Sequence, residues 1–165
     1  MEITYELVKE LFDYDPEGYL VWKSSLCNQF AGKRAGGIHH EYWEIQLTRF
    51  KKKVRAHRLI FLWHHGHLPE TPLTIDHANR NKLDNRIENL RVATPTQQNA
   101  NKTVNPVSMT KFKGVEYDKP RNRYRAIATK SGKRYRSKRF VTPEEAHTAY
   151  LELAKDLFGD FACGG

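Results

Sequence analysis

The stretch that decides the fold is LTIDHANRNKLDNRIENLRVATPTQQN, residues 73–99. It opens with a short run of alternating apolar and polar residues, which predicts a strand, and an asparagine-rich polar loop follows. Leu90–Ala93 predicts a second strand. Thr94 then begins a helix as its N-cap, with proline at the first helical position and Gln97 completing a capping box. The predicted order is strand, loop, strand, helix.

The residues upstream predict a small antiparallel sheet and a helix. Residues 5–12 suit a short helix, and Tyr19–Trp22 suits a strand that follows a turn. Apolar and polar residues alternate from 43 to 47, which is the period of a half-buried strand. The segment His57–His65 is apolar at helical spacing and stops at Gly66, so we expect a helix there.

The residues downstream predict three antiparallel strands and one helix. The strands are expected at 113–118, 123–130 and 133–140, because turn sequences separate them. Thr142 and Glu145 form a second capping box, again with proline at the first helical position. An apolar stripe on this helix would pack against the sheet; it consists of Ala146, Ala149, Tyr150, Leu153 and Leu157.

These elements predict an α+β chain in four segments. Residues 1–56 form a small antiparallel β region, and residues 57–102 form the core that holds the polar loop. Residues 103–111 contain a proline and show no period, so we expect a linker. Residues 112–161 form a three-stranded sheet packed on one helix.

Composition points to a polyanionic partner. The 165 residues contain 28 Lys and Arg against 19 Asp and Glu, a net charge of +9, and residues 102–140 hold 13 basic residues against Glu116 and Asp118. No apolar run is long enough to span a membrane. The acidic N-terminus is unlike a secretory leader, and Cys27 and Cys163 make no disulfide framework, so we expect a reducing cytoplasm.

Four polar residues between positions 76 and 99 could carry out metal-dependent hydrolysis of a phosphodiester. That chemistry needs a base, oxygen ligands for a divalent cation and a group that orients the base. Asp76 and His77 are adjacent, Asn89 lies 12 residues after His77, and Asn99 lies 22 residues after it. The predicted fold brings these positions together. Each residue alone could equally cap a turn or bond to loop backbone.

The segment IDHANRNKLDNRIENLRVATPTQQN resembles the His-Asn-Asn branch of the HNH endonucleases, which occur in phages and as intron homing enzymes. The upstream AHRLIFLWHHG is also similar to that family. The resemblance implies a ββα-metal (His-Me) finger, here preceded by a small antiparallel sheet. It further implies His77 as general base, Asp76 and Asn99 as metal ligands, and Asn89 as the residue that fixes His77.

The third motif position departs from the pattern that names the family, since Asn99 stands where many members carry histidine. An amide oxygen favours Mg²⁺ or Mn²⁺ over zinc. Gln98 and Asn101 stay open as alternatives for this ligand. The histidines at positions 64–67 lack a cysteine or acidic partner at ligand spacing, so we do not expect zinc there.

Residues 112–161 are similar to the DNA-binding domain of plant Apetala and ethylene-response-factor regulators. The shared features are KGV on the first strand, Gly132, Phe140 and the TPEEA helix start. The resemblance implies that the uncovered sheet face binds DNA. Glu116 and Asp118 depart from the basic residues usual on the first strand, so base preference does not transfer. The predicted DNA-binding residues are Lys113, Arg123, Arg125, Arg134, Arg136 and Lys138.

We therefore expect a free-standing phage homing endonuclease of the HNH family, acting in the cytoplasm of the infected host. It would bind double-stranded DNA as a monomer or weak dimer, without a membrane or a small-molecule cofactor. A single site would nick one strand and leave a 5′-phosphate and a 3′-hydroxyl. The alternatives are a sequence-specific DNA-binding regulator with an inactive nuclease fold, and a nonspecific HNH nuclease.

Overall fold

The computed structural model describes residues 3–23, 30–47, 51–103 and 109–164. The chain divides into two compact units, Met1–Val92 and Ala93–Gly165. This division places residues 93–102 in the second unit. The sequence analysis had grouped them with residues 57–92 in one segment. Cys27 and residues 104–108 of the predicted linker lie outside the described residues.

The first unit contains two helices and seven short strands in its described part. Strands β1 and β2 form an antiparallel hairpin, β4 lies between β3 and β5 in an antiparallel sheet, and β6 pairs with β7. The elements are α1 (Tyr5–Leu11), β1 (Phe12–Asp15), β2 (Tyr19–Trp22), β3 (Gly37–His39), β4 (Tyr42–Leu47), β5 (Lys52–Arg55), α2 (Ala56–His65), β6 (Thr74–His77) and β7 (Leu90–Ala93).

Helix α2 lies at the centre of the core of the first unit. Its Leu59 and Ile60 are buried together with Phe12, Leu20 and Ile45. The helix ends at Gly66, whose N–H donates to the carbonyl of Leu62, as the sequence predicted. Burial of these side chains ties the hairpin, the β3–β5 sheet and α2 into one body.

The second unit contains α3 (Pro95–Asn101), β8 (Val115–Asp118), β9 (Arg123–Lys130), β10 (Lys133–Phe140) and α4 (Pro143–Phe158). The strands form an antiparallel sheet with β9 in the middle, and α4 packs on one face. Both predicted capping boxes form. The Thr94 hydroxyl accepts from the Gln97 N–H at 3.2 Å, and the Thr142 hydroxyl accepts from the Glu145 N–H at 3.3 Å.

A bulge in β10 changes which residues share the uncovered face. Arg136 pairs with Ile127, but the next pair is Arg139 with Arg125. The hydroxyl of Ser137 accepts from the Ala126 N–H at 2.9 Å and replaces a backbone partner there. Strict alternation predicted Lys138 on the arginine face; beyond the bulge Arg139 takes that position instead.

The fold is mixed α/β, with small antiparallel sheets and four helices in the described residues. None of these helices is long and apolar enough to cross a membrane.

Candidate active site

Asp76 and His77 lie at the end of β6, and both side chains are buried. One carboxylate oxygen of Asp76 accepts hydrogen bonds from Nε and Nη2 of Arg91, each at 3.2 Å. A buried carboxylate is stable only with such a partner. The pair fixes the orientation of the Asp76 side chain, because the guanidinium extends from the neighbouring strand β7.

The imidazole of His77 is held by an amide. Its Nε2 atom lies 3.0 Å from Oδ1 of Asn85. Burial lowers the pKa of His77 below its ordinary value, and the Asn85 hydrogen bond and the Asp76 charge offset this only in part. The ring is therefore neutral near pH 7 and can accept a proton.

A second buried histidine, His57 at the start of α2, contacts the first. The two rings meet edge to face with 5.0 Å between their centroids, and the Tyr42 ring lies 5.9 Å from that of His57, centroid to centroid. Burial above all, and then the charges of His77, Arg55 and Arg58, lower the pKa of His57 to about 3. His57 is thus a neutral packing partner of His77.

Asn89 holds the loop that follows His77. Its backbone carbonyl accepts from the Ala78 N–H at 2.9 Å. Its side-chain oxygen accepts from the Asn79 N–H at 2.9 Å, and its amide donates to the carbonyl of Asp84 at 2.7 Å. The resemblance implied that Asn89 fixes His77. In the structure the amide bonded to Nε2 of the ring is that of Asn85, and Asn89 fastens the chain from Ala78 to Asp84.

Sequence reasoning missed Asn85 and the ring contact between His57 and His77. Asn85 is only 1% exposed, yet it sits in the same polar loop as Asn79, Asn81 and Asn89. No local pattern separates a buried asparagine from exposed ones in such a loop. The burial of His57 follows from its place in the apolar face of α2, where a histidine is buried beside a polar or aromatic partner.

The predicted ligand Asn99 lies on α3, in the second unit, and its side chain is exposed. Its oxygen accepts from Nζ of Lys102 at 2.8 Å. It also lines a cavity of about 360 Å³ within that unit, together with Lys113 and Tyr150. Of the two alternatives, Gln98 is half-buried and Asn101 is buried. Among the described residues, no group of three or more His, Cys, Asp or Glu is placed to hold a metal.

The arginine face of the sheet in the second unit is partly neutralised by its own acids. Arg125 pairs with Glu116 at 2.8 Å, and Arg139 pairs with Asp118 at 2.7 Å. By contrast, Arg134 and Arg136 are exposed and have no hydrogen-bond or ion-pair partner within the described part of the chain.

The other predicted DNA-binding residues differ in their surroundings. Arg123 and Lys138 are exposed. The ammonium group of Lys113 donates to the carbonyls of Ala100 and Lys102, so it caps the C-terminal end of α3.

One family model and two known proteins match this chain. Residues 54–100 match the model of a family described as HNH endonuclease. Over 111 residues the chain is 37% identical to a protein of Acanthamoeba polyphaga mimivirus that is named as an uncharacterized HNH endonuclease; the match covers 67% of this chain and 56% of that protein. Over 114 residues it is 27% identical to Protein 3.8 of Escherichia phage T7, covering 69% of this chain and 93% of that protein.

No solved structure matches the chain, and none of these comparisons supports the predicted resemblance of residues 112–161 to plant regulators. The family match includes Asp76, His77, Asn85, Asn89 and Asn99. Residues 54–100 thus match a family model described as HNH endonuclease, and the chain is similar to a viral protein that is named as an HNH endonuclease.

Proposed function

We propose that this chain is a divalent-metal-dependent DNA endonuclease in which His77 is the general base. The observation that carries the proposal is the neutral, buried imidazole of His77 beside the carboxylate of Asp76, inside a segment that matches HNH endonucleases. A neutral imidazole can take a proton from a water molecule, which then attacks the phosphorus in line. The products would be a 5′-phosphate and a 3′-hydroxyl.

The side chains at the predicted ligand positions fit a hard cation. By residue type alone, Asp76 offers a carboxylate and Asn99 an amide oxygen, and Mg²⁺ is commonly held by one or two carboxylates, with water and phosphate oxygens filling the remaining positions. A bound cation would stabilise negative charge on the departing 3′ oxygen. Arg91 orients the Asp76 carboxylate for this purpose, and Asn89 holds the loop that follows the base.

We expect supercoiled plasmid to be cleaved by the protein with Mg²⁺, and the activity to disappear with chelator and return with excess Mg²⁺. The Asp76→Asn variant keeps the side-chain shape but removes the charge, so it should need more Mg²⁺ for half its maximal rate. Nicked product would support a single site that cuts one strand. Cleavage that persists in chelator would contradict the metal requirement.

A DNA-binding regulator with an inactive nuclease fold is the second candidate, because the sheet of the second unit carries an exposed basic face. Tight DNA binding without cleavage of any plasmid, in Mg²⁺ or Mn²⁺, would support a regulator and contradict the proposed nuclease.

Recognition of one target site, as a phage homing enzyme requires, would appear as a single cleavage position on a long duplex.

We propose that the sheet face with Arg134 and Arg136 contacts the DNA backbone. Replacing either by alanine should weaken binding to duplexes of any sequence and reduce the slope of log K against log salt by about one. The control is Lys155→Ala, which removes an exposed charge from α4 on the other side of the sheet. Equal effects of all three changes, measured by fluorescence anisotropy, would contradict this assignment.

A further inference from the structure

Both polar atoms of the buried Asn85 side chain, Nδ2 and Oδ1, have hydrogen-bond partners. Its Nδ2 donates to the carbonyl of Leu83 at 3.4 Å, and its Oδ1 lies 3.0 Å from Nε2 of His77. A buried amide is costly unless such bonds form. The bond to Leu83 also settles which way the amide points, because only the nitrogen can donate to a carbonyl. The atom presented to His77 is therefore an acceptor.

An acceptor at this position determines where the imidazole carries its proton. A neutral imidazole has one N–H and one lone pair, on different nitrogens. Since Oδ1 of Asn85 can only accept, the bond exists when Nε2 of His77 carries the hydrogen. The basic lone pair then lies on Nδ1. In the other tautomer two lone pairs would face each other at 3.0 Å.

The N-terminal hairpin holds Asn85 in place. Gly18, in the turn between β1 and β2, has φ +88°, and a Cβ at that position would lie 2.5 Å from the backbone N of Arg86 and 2.8 Å from the carbonyl carbon of Asn85. The Tyr14 hydroxyl accepts from the Ile87 N–H at 3.1 Å. The hairpin thus contacts the backbone of residues 85–87 directly, at a distance that only glycine permits.

We infer that Asn85 is a positioning residue that selects the Nε2–H tautomer of His77, and that the β1–β2 hairpin is the template that places Asn85. The inference rests on the proposed function for its role in cleavage. The N-terminal hairpin would then act in the chemistry indirectly. It positions the Asn85 amide, and this amide keeps the hydrogen of His77 on Nε2. Nδ1 of His77 is then the nitrogen that accepts a proton from water.

The tautomer can be measured without any activity. Nitrogen chemical shifts of ¹⁵N-histidine-labelled full-length protein, recorded without metal above pH 7, distinguish the two nitrogens of His77. We expect Nε2–H in the wild type and in Asn85→Asp, whose carboxylate also accepts. We expect a mixture or Nδ1–H in Asn85→Ala. The control Asn81→Ala removes an exposed amide of the same loop that bonds to Leu83 and should leave the signals unchanged.

Cleavage kinetics provide the second readout. Asn85→Ala should lower kcat by about 10- to 100-fold with little change in KM, and Asn85→Asp should recover part of the loss. A matched glycine pair tests the template: Gly18→Ala should shift the His77 signals, whereas Gly32→Ala, also at positive φ (+73°) but with open space around it, should not.

An Nδ1–H signal in the wild type would overturn the inference, as would an Asn85→Ala protein with the wild-type tautomer and kcat. So would equal shifts from the two glycine variants. If the tautomer results hold and no variant cleaves DNA, the positioning stands and the proposed function fails. The two failures are therefore distinguishable.

Discussion

Replacing His77 by alanine is expected to lower the rate of plasmid cleavage by about 100- to 10,000-fold, the usual contribution of a general base. This corresponds to about 3–5 kcal/mol of transition-state stabilisation. The reason is that this variant lacks the imidazole that we propose accepts the proton from water. DNA binding should change little, because the imidazole is only 6% exposed. Single-turnover cleavage with excess protein separates the two effects.

The control for this experiment is His67→Ala, which removes an exposed histidine of the first unit. It should cleave at the wild-type rate. Tryptophan fluorescence would show whether His77→Ala has folded, since Trp22, Trp43 and Trp63 all lie in the first unit. A folded His77→Ala protein that cleaves at the wild-type rate would rule out His77 as the base.

Acid is expected to destabilise the first unit through His57. Its pKa is about 3 in the folded protein, whereas a histidine in the unfolded chain titrates near 6.5. The stability that comes from keeping His57 neutral is fully present above pH 6.5. It is lost as the pH falls from 6.5 toward 3, because the unfolded chain binds one more proton in that window. The free energy of unfolding should fall by about 1.4 kcal/mol per pH unit.

Urea unfolding followed by tryptophan fluorescence at several pH values between 7 and 4.5 measures this slope. The comparison is with His57→Phe, which keeps an aromatic ring in the pocket but cannot titrate. The free energy of unfolding of this variant should fall less steeply with decreasing pH, by up to about 1.4 kcal/mol per pH unit, which corresponds to one proton. His77 also has a lowered pKa, so it contributes to the slope of both proteins. Equal slopes would show that His57 does not bind the extra proton on unfolding.

The elements with strong local signals could be predicted from the sequence. The capping boxes at Thr94 and Thr142 form, because side chain and backbone lie within one turn of each other. Helix α2 ends at Gly66 as predicted. The strand β1 was missed, since Phe12 continues the apolar spacing of α1, and only its pairing with Trp22 across the hairpin makes it a strand.

The sequence predicted which residues belong to the candidate site better than it predicted which side chains contact each other there. Adjacent Asp76 and His77 are evident from the motif, and both are buried at the end of β6. The partner of His77 was not evident, because burial of Asn85 depends on Gly18, a residue 67 positions earlier in the chain. Lys113 likewise looked like a DNA contact, and only the tertiary structure gives its ammonium group two carbonyls of the second unit.

The Ser137 bulge also affects how related chains should be aligned. A homologue without the extra residue would keep simple alternation to the end of that strand, so its side chains beyond this point would exchange sides relative to those of this chain. Gapless alignment would then equate a solvent-facing arginine with a residue turned toward the helix. Any specificity rule transferred between such proteins must place the gap at Ser137 or Lys138.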